Sequence, residues 1–339
     1  MAPVIPLSVL DLATVASGST AAQALHETVA MAVAVERLGY RRFWVAEHHA
    51  MAAVASSAPA VVIAHLANAT TSLRVGAGGV MLPNHAPLVI AEQFATLEAL
   101  HPGRIDLGLG RAPGTDHVTA RALRRSSDVQ ATTFPRDVVE LINYLVPQET
   151  PPHPAPTPGA GYLPDVWLLG SSTFSAQLAG QLGLPFSFAY HFAPAQLDDA
   201  VEVYRTNFKA SQFLEEPYLM VAASVICAAD DATARWLSGS SALGLLQRLQ
   251  GRPGPLPSPD DAAASPRSDE EAAFVAETFA THFIGAPGRV AEGLHALKSR
   301  TAADELMVST RVHGFAERRT SFELLAHEWG LDPFVTPHQ

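Results

Sequence analysis

The chain has 339 residues, 48% of them hydrophobic, and a formal net charge of -11 at pH 7. A chain of this length forms one large α/β barrel or two ordinary domains. The acidic balance argues against a surface for nucleic acid or an anionic membrane, but it still permits a local basic pocket for one phosphate. We therefore expect a small-molecule substrate, and no nucleic-acid or membrane partner.

Cysteine content and the apolar runs indicate the compartment. The single cysteine, Cys227, excludes an internal disulfide and fits a reducing environment. Long apolar stretches such as 50–69 are interrupted by Ser, Pro, His and Asn, so none is typical of a membrane span. The amino terminus lacks the basic segment and cleavage site of a secretory signal. We expect a cytoplasmic protein.

Strands and helices alternate along the chain, as expected of a parallel sheet. The first half predicts strands at 4–10, 42–47, 73–77 and 104–109, with helices at 21–38, 59–69 and 87–100. After a connection at 147–164 that is rich in Pro and Gly, the pattern predicts strands at 166–169, 186–190, 218–228 and 305–309, with helices at 175–182 and 194–214.

Eight strands favour a closed TIM (β/α)8 barrel over an open doubly wound sheet. No glycine-rich dinucleotide fingerprint follows the first strand. We predict a single barrel domain over residues 1–339. Between the last two strands lies a long insertion at 238–283, whose middle is rich in Pro, Ser and Asp. Long loops in compact domains are usually functional lids or disordered, and we interpret this one as a mobile lid.

An acid and two histidines end the second predicted strand: Glu47, His48 and His49. The carboxyl ends of barrel strands build active sites, an imidazole exchanges protons near neutral pH, and an adjacent carboxylate can hold its tautomer. The structural alternative is a pair of capping or partly buried histidines. Zinc is a competing interpretation, but neither an HExxH motif nor a Cys-rich spacing supports it, so we predict no metal site.

Glycines and an arginine follow the next two strands. Gly78 and Gly79 leave the backbone room to approach a flat ligand, although a tight bend explains them equally well. Arg111 could bind a phosphate or carboxylate through a forked pair of hydrogen bonds. Its alternative is a salt bridge to Asp106 or Asp116.

Gly170, Ser171, Ser172 and Thr173 join the fifth strand to a helix. Backbone N–H groups and hydroxyls converge at such a helix start, which makes a phosphate cradle. Simple N-capping by Ser or Thr is the bland alternative. Because Arg111 and this turn lie on successive predicted strands, each strengthens the phosphate interpretation of the other.

Two further motifs follow later strands. His191, between Tyr190 and Phe192, offers a proton donor in an aromatic wall, with core packing as its alternative. The run 285–288 starts a helix before the last strand, where barrels often bind phosphate, or it only caps that helix.

In this order, the motifs resemble the bacterial luciferase-like flavin-dependent monooxygenases. The resemblance covers nearly the whole chain, and it rests on the runs 44–49 (WVAEHH), 75–83 (VGAGGVMLP) and 103–111 (GRIDLGLGR). It implies a TIM barrel that binds reduced FMN at the carboxyl ends of its strands and forms a flavin hydroperoxide with oxygen. It also implies a flavin reductase as partner, and a homodimer.

Carried over by position, His48 matches the family's catalytic histidine, and Gly78–Gly79 falls where the family has a non-proline cis peptide beside the flavin ring. Gly110 replaces a cysteine of true luciferase, which argues against light emission. We assign catalysis to His48, with His49 and His191 assisting. Cofactor binding is assigned to Gly78, Gly79, Arg111, Gly170, Ser171, Ser172 and Thr173.

The hypothesis is therefore a monooxygenase that uses reduced FMN and oxygen. Three alternatives stay open. A deazaflavin in the same barrel would serve hydride transfer, and oxygen consumption separates the two. A flavin-binding protein without catalysis would bind without turnover, and a metal-dependent hydrolase would contain metal. The substrate has no recognisable signature in the sequence.

Overall fold

A computed structural model describes residues 4–112, 117–123 and 130–333. The strands are β1 (Leu7–Asp11), β2 (Arg42–Val45), β3 (Arg74–Met81), β4 (Ile105–Gly110), β5 (Asp165–Gly170), β6 (Phe186–Ala189), β7 (Leu219–Cys227), β8 (Phe283–Gly285) and β9 (Glu305–Ser309). The helices are α1 (Ala21–Arg37), α2 (Pro59–Ala69), α3 (Pro87–Leu100), α4 (His117–Ala122), α5 (Gln130–Leu145), α6 (Thr173–Leu182), α7 (Leu197–Asn207), α8 (Asp231–Leu249), α9 (Pro259–Ala264), α10 (Asp269–Phe279), α11 (Pro287–Thr301) and α12 (Phe315–Trp329).

Eight parallel strands close into a barrel. Strands β1 to β7 pair in sequence order, β7 pairs with β9, and β9 returns to β1. The short strand β8 pairs only with the carboxyl end of β7 and stands outside the closed ring. The predicted TIM barrel is confirmed, with the eight strands in the places that the sequence pattern indicated.

Buried side chains of the strands and the surrounding helices form one large apolar core, as a sheet covered on its outer face requires. No helix among the described residues has both the length and the apolar composition needed to cross a bilayer.

The amino end of the barrel is closed by a buried polar network. Arg42 donates to Asp106 at 2.9 Å and to Glu305 at 3.1 Å, and all three are nearly inaccessible to solvent. Trp44 donates its indole N–H to Asp106 at 2.8 Å, and Ser8 donates to Glu305. The network ties β1, β2, β4 and β9 together at the end opposite to the site. Asp106 is therefore already paired.

The structure differs from the prediction at two helices, one of them predicted too long and the other not predicted. The helix predicted at 194–214 is shorter, because a 3-10 turn at Pro194–Gln196 precedes α7 and the backbone becomes extended at Phe208. Helix α5 lies outside the predicted elements, although Phe134, Val138, Leu141 and Leu145 have helical spacing and are buried.

The insertion at 238–283 contains regular structure. It holds the end of α8, then α9 and α10, and Ser258 and Ser268 each begin a helix with a capping box. Leu256 fastens it to the loop after β1, where its N–H donates to the Val15 carbonyl at 2.8 Å and its carbonyl accepts from Ser17 at 2.8 Å. Its mobility stays a prediction.

Candidate active site

A cavity of about 240 Å³ opens at the carboxyl ends of the strands. Three of the predicted site residues line it: His48, Gly78 and His191. His48 follows β2, Gly78 lies in the second half of β3, and His191 follows β6. These strands are far apart in sequence, so the barrel brings the three residues to one face. The insertion closes one side of the cavity with Leu245, Phe279 and other side chains.

Beside the cavity, Glu47 anchors a pair of histidines. Its carboxylate is fully buried and contacts the Nε2 atoms of His49 at 2.9 Å and His85 at 2.8 Å. The Met81 N–H donates to its second oxygen at 3.1 Å. His49 is thus turned to Glu47 and does not line the cavity, whereas His48 does, with its backbone N–H bonded to the Ser56 carbonyl at 3.1 Å.

The environment of Glu47 favours its charged form. Burial raises the pKa of this carboxyl, but the hydrogen bonds from His85 and His49 and the Met81 N–H outweigh burial, so the pKa lies below its usual value. A carboxylate with these donors fixes both rings in orientation.

The same three side chains have the composition of a metal site. The Glu47 oxygen and the two imidazole nitrogens of His49 and His85 lie within 4.8 Å of one another. At 2.8 and 2.9 Å, however, each imidazole is at hydrogen-bond distance from the carboxylate, so the three groups satisfy one another. Metal analysis of the purified protein decides between the two interpretations.

Two histidines with lowered pKa values, His191 and His282, line the cavity. The Nδ1 of His191 lies 2.9 Å from the Ala222 carbonyl, which can only accept, so Nδ1 carries the proton and Nε2 of the neutral ring keeps its lone pair. Burial lowers the pKa of His191. Burial, followed by the charge of His191, lowers the pKa of His282 to about 4. Both rings are therefore neutral bases at neutral pH.

Two glycines of β3 are required by packing. The Gly78–Gly79 peptide is cis, as the resemblance implied. A Cβ at Gly78 would lie 2.8 Å from a Leu10 methyl and 3.0 Å from the Trp44 ring, and one at Gly79 would lie 2.7 Å from the Gly108 carbonyl. Both glycines lie within β3 and not in a bend after the strand, and close packing leaves no room for a side chain at either. Gly78 also lines the cavity.

A second polar cluster lies after β4 and β5. Ser172 is the N-cap of α6, yet its side chain makes no capping hydrogen bond, and the first turn contains no acid. The Arg111 guanidinium stands 4.2 Å from the Phe174 ring centroid in that turn. A Cβ on Gly170 would lie 2.5 Å from that of Ser175, so the backbone at the end of β5 packs directly against the first turn of α6. Ser171 is exposed and Thr173 half-buried.

The structure removes one alternative for Arg111. Asp106 is bonded to Arg42, and no ion pair to Arg111 exists among residues 4–112, 117–123 and 130–333. Asp116 lies outside the described residues. An open helix start beside a guanidinium fits an anionic group such as a phosphate.

The other predicted phosphate turn, 285–288, is occupied by a carboxylate. Asp231 accepts from the Ala286 N–H at 2.9 Å and pairs with Arg289 at 3.1 Å. Asp231 thus stands where an anion would bind the Ala286 N–H, which favours the capping interpretation of this turn.

Sequence reasoning missed four titratable residues of the region. His85 joins the Glu47 cluster, and Arg248, His282 and Arg311 line the cavity. Strand-end position could have found His85 and Arg311, which follow β3 and β9 closely. Nothing local marks Arg248 and His282, because the fold of the insertion brings them to the cavity.

A barrel with a cavity at the carboxyl ends of its strands, lined by apolar side chains with a few histidines and arginines, is the architecture of an enzyme. The profile of the luciferase-like monooxygenases matches residues 5–304. The chain belongs to this family.

Individual proteins agree with the family match. The chain is 47% identical over 320 residues to a luciferase-like monooxygenase of Escherichia coli K12, covering 94% of this chain and 96% of the relative. The crystal structure of apo-MsnO8 superposes with a TM-score of 0.89 at 36% identity, covering 97% of this chain and all of that one.

A more distant structure has the same fold. It is the oxygenating constituent of 3,6-diketocamphane monooxygenase from Pseudomonas putida, a type II Baeyer–Villiger monooxygenase in complex with FMN. Its TM-score is 0.71 at 18% identity, covering 99% of this chain and 100% of that chain.

Proposed function

We propose that the protein is a flavin-dependent monooxygenase that uses reduced FMN and O₂ to insert one oxygen atom into a small organic substrate. The observation that carries this proposal is the convergence of His48, Gly78 and His191 on one cavity. Membership of the luciferase-like monooxygenase family supports the reaction class.

Arg111 and the turn of Ser171, Ser172 and Thr173 would hold the FMN phosphate. The fit rests on the uncapped start of α6 and on the guanidinium above Phe174 in its first turn. Gly170 lets the strand enter this turn at close range.

Gly78 and Gly79 would present bare backbone to the flat ring system of the cofactor. Bound reduced FMN supplies the two electrons that let one atom of O₂ enter the substrate while the other leaves as water. The apolar wall of the insertion would exclude bulk water from that chemistry.

His48 would move the proton at the reacting oxygen. It lines the cavity directly, whereas His49 is held by Glu47 and would act by positioning the loop that carries His48. His191, with a free Nε2 lone pair and a lowered pKa, would accept a proton from the substrate side.

Three further parts of the proposal concern the protein in the cell. A separate flavin reductase would supply reduced FMN, because the family resemblance implies it. A homodimer and a cytoplasmic location complete the proposal, the latter from the single buried cysteine, Cys227. Light scattering on the purified protein measures its oligomeric state, and a mass near that of one chain would contradict the dimer.

The function is tested with a reductase that feeds reduced FMN in the presence of ¹⁸O₂ and panels of aldehydes, ketones and thioethers. We expect one ¹⁸O atom in a product. His48→Ala should lower turnover by about a hundredfold or more. The exposed His26→Ala is the control and should keep wild-type turnover. Near-wild-type turnover in His48→Ala would remove the role of His48, and oxidation without ¹⁸O in any product would contradict monooxygenation.

A further inference from the structure

The charge of the carboxyl-end cavity is opposite to that of the whole protein. Its lining includes two arginines, Arg248 and Arg311, and three histidines, and contains neither Asp nor Glu. The chain as a whole carries a formal net charge of -11. A positive cleft in an acidic protein concentrates field lines and attracts anions.

Arg311 lacks a compensating charge. It follows β9, and its Nε atom is buried without a hydrogen-bond partner among the described residues. No carboxylate in that part of the chain forms an ion pair with Arg311 or with Arg248. Burying a guanidinium without an anion is unfavourable. A ligand with a negative group would pair with Arg311 and offset that unfavourable burial.

The two arginines also repel each other. Burial, followed by the positive charge of Arg248, lowers the pKa of Arg311. The two arginines come from different elements, the last turn of α8 and the segment after β9, and Ser241 of α8 joins these elements by donating to the Arg311 carbonyl at 2.6 Å. This link keeps two like charges at one cavity, an arrangement that a bound anion would relieve.

Two of the three histidines of the cavity do not supply the charge. The lowered pKa values of His191 and His282 leave both rings neutral at neutral pH. The apolar side chains of Phe192, Leu245 and Phe279 line the same cavity. The lining therefore matches a molecule with an apolar body and one negative end.

We propose that Arg311, assisted by Arg248, recognises an organic carboxylate as the substrate of this cavity. That this carboxylate is the substrate rests on the proposed function, whereas binding of a carboxylate in the cavity does not. Arg311 would form a forked pair of hydrogen bonds with the carboxylate, and Arg248, which is exposed, would stand at the entrance.

The test compares 3-phenylpropanoate with 3-phenylpropanamide, which have the same shape but differ in charge. Binding is measured by titration calorimetry at pH 7, with and without saturating oxidised FMN. We expect the acid to bind the wild type at least about tenfold more tightly than the amide. Equal affinity for the two probes would overturn the proposal.

Variants locate the preference. Arg311→Met should abolish the higher affinity for the acid over the amide, and Arg311→Lys should keep part of it. Arg248→Met should lower the ratio of the two affinities about threefold or more. The control is Arg252→Met, because Arg252 lies in the same insertion and contacts Gln250 instead of the cavity. A preference that survives in Arg311→Met overturns the proposal. If Arg311→Met fails to fold, an unchanged preference in Arg248→Met has the same meaning.

The negative charge could also be the phosphate of FMN. We therefore compare FMN with riboflavin in Arg311→Met, where the affinity ratio should equal that of the wild type; a collapsed ratio assigns Arg311 to the phosphate and overturns the proposal. Failure of the proposed function can be told apart from failure of the carboxylate proposal. A protein that binds no FMN but still binds the acid more tightly than the amide would contradict only the proposed function.

Discussion

At the level of single residues, Glu47 organises the site without entering the cavity. One oxygen accepts from both His49 and His85, and the other from the Met81 N–H, so one carboxylate links the loops after β2 and β3. The loop that carries His48 is therefore held by a buried charge that needs all its donors.

Glu47→Gln tests this role. The amide keeps the shape but loses the charge and one acceptor, and we expect a loss of about 2 kcal/mol in the free energy of unfolding. Urea unfolding at pH 7 measures it, with the exposed Glu202→Gln as the matched control. Equal stability of the two variants would show that the cluster does not depend on the charge.

The lowered pKa of Glu47 also predicts a pH dependence. The unfolded chain takes up the proton first, so this carboxylate stabilises the fold above its usual value of about 4.5, and that contribution is lost as the pH falls towards the folded pKa. Between pH 6 and pH 3 the free energy of unfolding should fall more steeply in the wild type than in Glu47→Gln. Parallel curves would contradict the assignment.

His282 provides a spectroscopic test at the same scale. Its pKa of about 4 arises first from burial and then from the charge of His191. We expect its imidazole signals in NMR to titrate near pH 4, and to shift to a higher pKa in His191→Phe, which removes that charge. A midpoint for His282 near the ordinary value of 6.5 would contradict the buried cavity wall.

At the level of elements, the start of α6 and the end of β4 form the proposed phosphate site. Arg111→Met removes the guanidinium but not the open helix start. We expect FMN affinity to fall about tenfold or more while riboflavin affinity stays within about twofold. The control is Arg136→Met, because that side chain is 73% exposed and pairs with Asp137. Equal losses for FMN and riboflavin would show that Arg111 contacts some other part of the cofactor.

The elements also show what sequence patterns can and cannot predict. The alternation of strand-like and helix-like patterns in the sequence predicted the barrel strands. The bounds of β2, β4 and β9 agree with their predicted ranges within two residues. Strand-end logic placed His48 beside the cavity, because position along a barrel strand decides which end of the barrel a residue reaches. It did not reveal that Glu47 holds the ring of His49, since only the folded loops show this contact.

The insertion was harder, because its Pro, Ser and Asp content is typical of loops. The same residues form capping boxes at Ser258 and Ser268, a signal that needs the spacing of Ser to the acid three residues later. Arg248 and His282 reach the cavity through the packing of these helices. No local pattern contains that information.

At the level of the whole molecule, stability and function lie at opposite ends of the barrel. The amino end holds Arg42 between Asp106 and Glu305, and the carboxyl end holds the cavity. The amino end pairs its buried guanidinium with carboxylates, whereas Arg311 at the carboxyl end has a buried Nε without a hydrogen-bond partner among the described residues.

Arg42→Met should therefore unfold the barrel easily. It removes the buried guanidinium that bridges Asp106 and Glu305, and Arg74 then remains as the close cationic partner of Asp106. We expect a loss of about 3–5 kcal/mol in the free energy of unfolding. The neighbouring Arg41→Met is the control, because Arg41 is 45% exposed and 3.9 Å from Glu305, and it should cost less than about 1 kcal/mol. Urea unfolding of both variants checks this, and similar losses would contradict the separation of the two ends.

The central claim is that the carboxyl-end cavity uses reduced FMN for reaction with oxygen. The most direct measurement is an anaerobic titration of the protein with photoreduced FMN, followed by admission of oxygen while the flavin spectrum is recorded. Our account predicts saturable binding of reduced FMN and a reoxidation whose course differs from that of free flavin. No binding of reduced FMN, or a reoxidation identical to that of free flavin, would contradict it.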